Sequence, residues 1–87
     1  MPLTAQDVIA ILRDELFVEV SEVTERSPLF SAGIIDSFSL VGLISELERR
    51  AGFRVAPLDI TLENFDSIER IVGFVGRQTA RRRAASG

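Results

Sequence analysis

Residues 19–36 constrain this 87-residue chain more than any other stretch. Pro28 stops a helix from running through them, and Gly33 supplies a flexible turn near their end. Val20, Val23, Leu29, Phe30, Ile34 and Ile35 are apolar enough to pin the stretch against a core. A connection this long is uncommon in a compact domain and usually serves function. It ends in Gly33-Ile34-Ile35-Asp36-Ser37-Phe38, where an acid and a serine meet the start of a long amphipathic run. Ser37 therefore falls at the mouth of a predicted helix, where free N–H groups and the positive end of the helix dipole suit a capping side chain or a phosphate. From the residues alone, Ser37 is either a plain N-cap or an acceptor presented for modification, and the connection is either a plain crossover or a presenting loop.

The flanking segments are helical. Residues 4–17 read as a first helix, with Thr4 and Asp7 at capping-box spacing and Leu3 and Val8 at the positions of a hydrophobic staple. Val8, Ile9, Leu12 and Leu16 form its stripe, with Ile11 off it and facing the long loop. Residues 37–51 read as a second helix with a stripe of Phe38, Val41, Ile44, Leu47 and Ala51, widened by Leu40 and Leu43. Arg49 and Arg50 suit its C-terminal dipole and Gly52 stops it. Residues 53–60 are expected as an extended loop, since Pro57 and the lack of a pairing partner argue against a strand. Residues 61–65 read as one helical turn. Residues 67–76 read as a last helix, boxed by Asp66 and Glu69, with Ile68, Ile71, Val72 and Val75 inward, Phe65 joining them and Phe74 pointing elsewhere. These elements predict an all-α fold, a small antiparallel bundle of three to four helices with a long first loop. The domain is expected over residues 1–76, followed by a flexible arginine-rich tail over 77–87.

Composition excludes several functions. The chain has no cysteine and no histidine, which removes a thiol nucleophile, the commonest general base and the commonest metal ligand. No catalytic residue and no metal site are expected, and the protein reads as a non-enzyme. No basic-plus-apolar leader and no membrane-length apolar run is visible, so a cytoplasmic location is expected; a monomer is also expected. Charge is uneven: residues 1–48 carry a net −7 and residues 49–87 a net +4. The acids are either a face that would speed encounters with basic partners or ordinary solvated helix faces. Arg81-Arg82-Arg83 has no interleaved aromatic, and nucleic-acid binding is not expected.

Gly33-Ile34-Ile35-Asp36-Ser37-Phe38 resembles the attachment motif of carrier proteins that bear 4′-phosphopantetheine. Glu22-Val23-Thr24, the Leu29-Phe30 pair and the later stretch from Asp59 to Ile68 resemble that family in the same order. The Ile-Ile-Asp-Ser-Phe form is similar to freestanding aminoacyl carriers of the D-alanyl type. It differs from the Gly-Ala-Asp-Ser-Leu form of fatty-acid carriers and the Gly-Gly-x-Ser form of embedded peptidyl carriers. The resemblance implies the acyl-carrier fold, with phosphopantetheine on Ser37. It implies three kinds of partner: a phosphopantetheinyl transferase using Mg²⁺ and coenzyme A, an adenylating ligase, and a downstream acyltransferase or condensing enzyme. It also implies that Asp36, Phe38, Gly42, Ser45, Glu46 and Glu48 face partners, with Asp36 serving either the transferase or the helix cap. Two alternatives stand beside an aminoacyl carrier: an acyl carrier of a polyketide or fatty-acid-type pathway, and a helical interaction domain whose serine is never modified.

Overall fold

The computed structural model describes residues 3–86, with side chains described for residues 3–81. Among the described residues the secondary structure is helical, in a small bundle with a long first loop. Helix α1 spans Ala5–Ala10 and passes without a break into a π-helical turn, Ile11–Glu15. The expected capping box forms: Asp7 N donates to Thr4 Oγ1 at 3.2 Å, and Thr4 N donates to Asp7 Oδ2 at 2.9 Å. Leu3 packs against the core that contains Val8. Ile11 is fully buried with Val8 and Leu12, which corrects its expected place off the stripe. It follows Val8 by three residues and precedes Leu12 by one, so all three share the helix face turned inward. The turn closes through Leu16 N to Ile11 O (3.1 Å) and Val18 N to Leu12 O (2.8 Å), with Phe17 left-handed at φ 57°. That is the backbone position at which helices usually place glycine.

The loop is pinned as its apolar residues predict. Leu29 and Ile35 are buried, and Val20, Val23, Phe30 and Ile34 pack partly against the core. Between them the chain doubles back: Gly33 N donates to Phe30 O at 3.0 Å and Ile35 N to Leu29 O at 3.0 Å. Gly33 has φ 74°, a conformation that glycine adopts without strain.

Helix α2 spans Ser37–Ala51, the bounds its sequence predicts, and Gly52 ends it in the left-handed region at φ 71°. Its inward face differs from the expected one. Leu43 and Leu47 are fully buried and Leu40, Ile44 and Ala51 flank them, whereas Phe38 and Val41 are 88% and 65% exposed. Residues 40, 43, 44, 47 and 51 follow helical spacing throughout, and Phe38 and Val41 lie across the helix from Leu43 and Leu47.

Residues 53–60 are less extended than predicted, because Pro57–Asp59 forms a 3-10 turn with the proline at its start. Helix α3 is the expected single turn, Leu62–Phe65, capped where Asn64 N donates to Thr61 Oγ1 at 3.3 Å. Helix α4 spans Ile68–Ser86, ten residues past the expected end at 76. Ala80 and the arginines are good helix formers, and no proline or loop signal intervenes. Thr79 Oγ1 also donates to Val75 O at 3.0 Å. Residue 87 lies outside the described residues. Phe74 is a core residue, 2% exposed, with its ring centroid 5.3 Å from Phe65 and 6.1 Å from Phe53. Its expected outward direction is thus corrected: Phe53 and Phe65 supply an aromatic wall on the side to which it points. Helix α4 packs against α1, α2 and α3, so the core is organised around it.

Candidate modification site at the start of helix α2

The site begins with the cap. Asp36 is the N-cap residue of α2 and Ser37 the first residue of the helix proper, so Ser37 is not the cap. Ser39 N donates to Asp36 Oδ1 at 2.9 Å, and this backbone donor holds the Asp36 carboxyl below its usual range. With that work done by Asp36, the Ser37 side chain is exposed and, among the described residues, makes no hydrogen bond. A serine hydroxyl at a helix start normally turns inward onto a backbone N–H. Here it is left available to an incoming reagent.

The loop that leads to this hydroxyl is held by Asp66, 29 residues beyond Ser37 in the chain. Asp66 Oδ1 accepts from Phe30 N at 2.7 Å and Ser31 N at 3.0 Å, while Ser31 Oγ donates to Asp66 Oδ2 at 2.7 Å. Leu29 N donates to Asp66 O at 2.7 Å, and Glu69 N to Glu25 O at 2.9 Å. The end of the long loop is thereby bolted to the junction of α3 and α4, a few residues before Asp36. The expected box of Asp66 with Glu69 does not form. Ser67 Oγ takes the capping role by accepting from Arg70 N at 3.1 Å, and Glu69 Oε2 meets Arg26 Nε at 3.2 Å instead.

The residues singled out on α2 do not share one surface. Asp36, Ser37, Phe38 and Ser45 are exposed. Gly42 turns toward the π-helical turn: a Cβ there would lie 2.6 Å from Leu16 Cδ2. Glu48 is half-buried and accepts from Val55 N at 2.8 Å, holding the loop after α2. Glu46 is half-buried between Arg49 (2.6 Å) and Arg50 (3.4 Å), which lower its pKa. Val41, which the stripe reading turned inward, joins the exposed face beside Phe38. Its spacing of four from Ser37 was the signal for that. A surface depression lined by Glu48, Arg49, Gly52, Phe53 and Arg54 sits at the opposite end of α2. Roughly 17 Å of helix axis separates Glu48 from Ser37.

A helical scaffold thus presents an exposed serine hydroxyl at the first position of α2, with no hydrogen-bond partner among the described residues. Residues 6–75 match the family described as the phosphopantetheine attachment site. Over 67 residues the chain is 40% identical to the D-alanyl carrier protein of Streptococcus gordonii, a match covering 76% of this chain and 82% of that relative. D-alanyl carrier proteins from two strains of Streptococcus thermophilus match with the same identity and coverage. The chain belongs to the phosphopantetheine-bearing carrier protein family, and 4′-phosphopantetheine is its covalent cofactor. The start of α2 fits such a group: a free hydroxyl, exposed neighbours on both sides, and a helix terminus already closed by Asp36.

Proposed function

We propose that this protein is a freestanding carrier that holds an aminoacyl or acyl group as a thioester on a phosphopantetheine arm attached to Ser37. The observation that carries this reading is the exposed, unpartnered Ser37 hydroxyl at the first position of α2, inside the stretch that matches the family. Bound there, the arm supplies the thiol that makes the thioester, while the protein supplies position. The chain's part in loading is to offer the Ser37 oxygen. The chain has no histidine to serve as a general base, so the base that accepts the hydroxyl proton belongs to the phosphopantetheinyl transferase. Downstream, tethering raises the effective concentration of cargo at each docked enzyme.

The D-alanyl names of the matched relatives favour an aminoacyl cargo, loaded by an adenylating ligase and passed to an acyltransferase or condensing enzyme, over a polyketide or fatty-acid-type acyl group. The carrier acts in the cytoplasm as a non-catalytic monomer. Its domain is residues 1–76: the family match ends at residue 75, and Val75 is the last fully buried side chain among the described residues. The arginine-rich 77–87 segment is a solubilising appendage.

Intact mass after incubation with coenzyme A, Mg²⁺ and a transferase of broad specificity tests the reading. One phosphopantetheine increment on the wild type and none on Ser37→Ala is the expected result. No increment on folded wild-type protein would leave an unmodified interaction domain in its place.

A further inference from the structure

We propose that Asp66 is a positioning residue for the loading of Ser37: it fixes the end of the long loop, and through it the first turn of α2 that carries the hydroxyl. The proposal rests on the reading that Ser37 is the acceptor. Among the described residues Asp66 is the one buried ionisable side chain, at 8% exposure. Burying a carboxylate is unfavourable unless hydrogen bonds satisfy it. The three donors to this carboxylate all come from the loop that leads to Ser37. They are the Phe30 and Ser31 amides on Oδ1 and the Ser31 hydroxyl on Oδ2. The buried charge is therefore committed to holding that loop.

From Asp66 the constraint reaches Ser37 through the main chain. Asp66 O accepts from Leu29 N at 2.7 Å, and Leu29 O accepts in turn from Ile35 N at 3.0 Å. Leu29 and Ile35 are both buried. Two consecutive backbone hydrogen bonds thus connect the junction of α3 and α4 to the residue before Asp36. The turn between them is closed by Ala32 N to Pro28 O at 3.2 Å and Gly33 N to Phe30 O at 3.0 Å. Asp36 follows Ile35 and caps α2, so Ser37 stands two residues beyond the last bond of this relay. Asp66 itself is anchored, since its N donates to Leu62 O at 2.9 Å at the end of α3. Loss of the carboxylate leaves the Phe30 and Ser31 amides without their acceptor. The loop end and the first turn of α2 then loosen, while Leu43 and Leu47 still hold the rest of that helix in the core. Misplacing a reacting atom by about 1 Å is enough to slow a reaction by one to two orders of magnitude.

The test measures phosphopantetheine transfer to the full chain by intact mass, at varied carrier concentration and well below each protein's melting temperature. The proteins are the wild type, Asp66→Ala, Asp66→Asn, Ser31→Ala and Val75→Ala, with Ser37→Ala as blank. Val75→Ala is the stability control, a core truncation about two turns into α4. Asp66→Ala is expected to lower kcat about tenfold and leave the carrier KM within about twofold, because it misplaces the hydroxyl in the reacting complex. Asp66→Asn keeps an oxygen for the two amides and is expected to stay within about threefold of the wild-type kcat, with Ser31→Ala about threefold below it. Val75→Ala is expected to melt lower and load with the wild-type kcat. Amide hydrogen exchange at Ile35, the last bond of the relay, is expected to be about tenfold faster in Asp66→Ala and unchanged in Val75→Ala. A folded Asp66→Ala with wild-type kcat or wild-type exchange at Ile35 would overturn the positioning role, as would an equal loss of kcat in Val75→Ala. If Asp66→Ala does not fold, a wild-type kcat in Ser31→Ala overturns it in the same way. Any of these results leaves Ser37 as acceptor. Absence of a Ser37-dependent increment on the wild type would instead overturn the acceptor reading.

Discussion

Ser31 and Asp66, 35 residues apart, are joined by a 2.7 Å hydrogen bond from Ser31 Oγ to Asp66 Oδ2, and the same carboxylate takes the Phe30 and Ser31 amides. The Ser31 hydroxyl is the main reason the Asp66 carboxyl is held below its usual range, with the Ser31 and Phe30 amides adding to it. A carboxyl whose folded pKa is depressed contributes stability that is fully present above its unfolded pKa, about 3.9, and lost as pH falls through the lower folded value. Urea or thermal melts across pH should therefore hold steady near neutrality and fall below about pH 4. Asp66→Asn should be less stable at neutral pH and should show a shallower acid limb than the wild type. An identical acid limb in both proteins would mean that the tether does not contribute.

Phe17 should be better replaced by glycine. It sits at φ 57° and is 87% exposed, so it carries backbone strain and little burial. Relief of a left-handed non-glycine residue is worth about 1 kcal/mol. Phe17→Gly is expected to raise the melting temperature by about 4–8 °C, read by calorimetry.

Two phenylalanines should behave in opposite ways when truncated. Phe74 is 2% exposed and packs on Phe53 and Phe65, so Phe74→Ala should cost about 3–5 kcal/mol in urea denaturation. That is a large fraction of what a small domain has in total. Phe38, exposed on α2, should change stability by less than about 0.5 kcal/mol on truncation to alanine. Equal losses for the two would mean that Phe38 packs inward.

Asp36 offers a way to separate capping from charge. Asparagine caps a helix as well as aspartate does, and alanine does not. Asp36→Asn should keep the wild-type melting temperature and accept phosphopantetheine at close to the wild-type rate, whereas Asp36→Ala should melt lower and load more slowly. A stable Asp36→Asn that fails to load would assign the carboxylate charge to recognition by the transferase.

Local chemistry was enough for much of this molecule. The Thr4–Asp7 box, the bounds of α2 between Asp36 and Gly52, the turn at Leu62–Phe65 and the pinning of the loop by Leu29 and Ile35 all follow from residues within a few positions of where they act. So does the family, because Asp36-Ser37-Phe38 and the stretch from Asp59 to Ile68 are contiguous motifs. Tertiary structure decided what depends on a partner distant in sequence. Helical spacing shows that a stripe exists but not which of two neighbouring stripes turns inward. In α2 the stripe through Leu43 and Leu47 is buried and leaves Phe38 and Val41 outside, and Phe74 turned in because Phe53 and Phe65 were there to receive it. Asp66 looked like a cap because Glu69 stands three residues away. In the fold, two loop amides and a hydroxyl from residues 30–31 compete for its oxygens and win, since these part-buried backbone donors gain an acceptor and Ser67 could cap α4 in its place. The sequence thus determined where α2 begins and which serine opens it. The packing of distant segments decided which surface is offered with it.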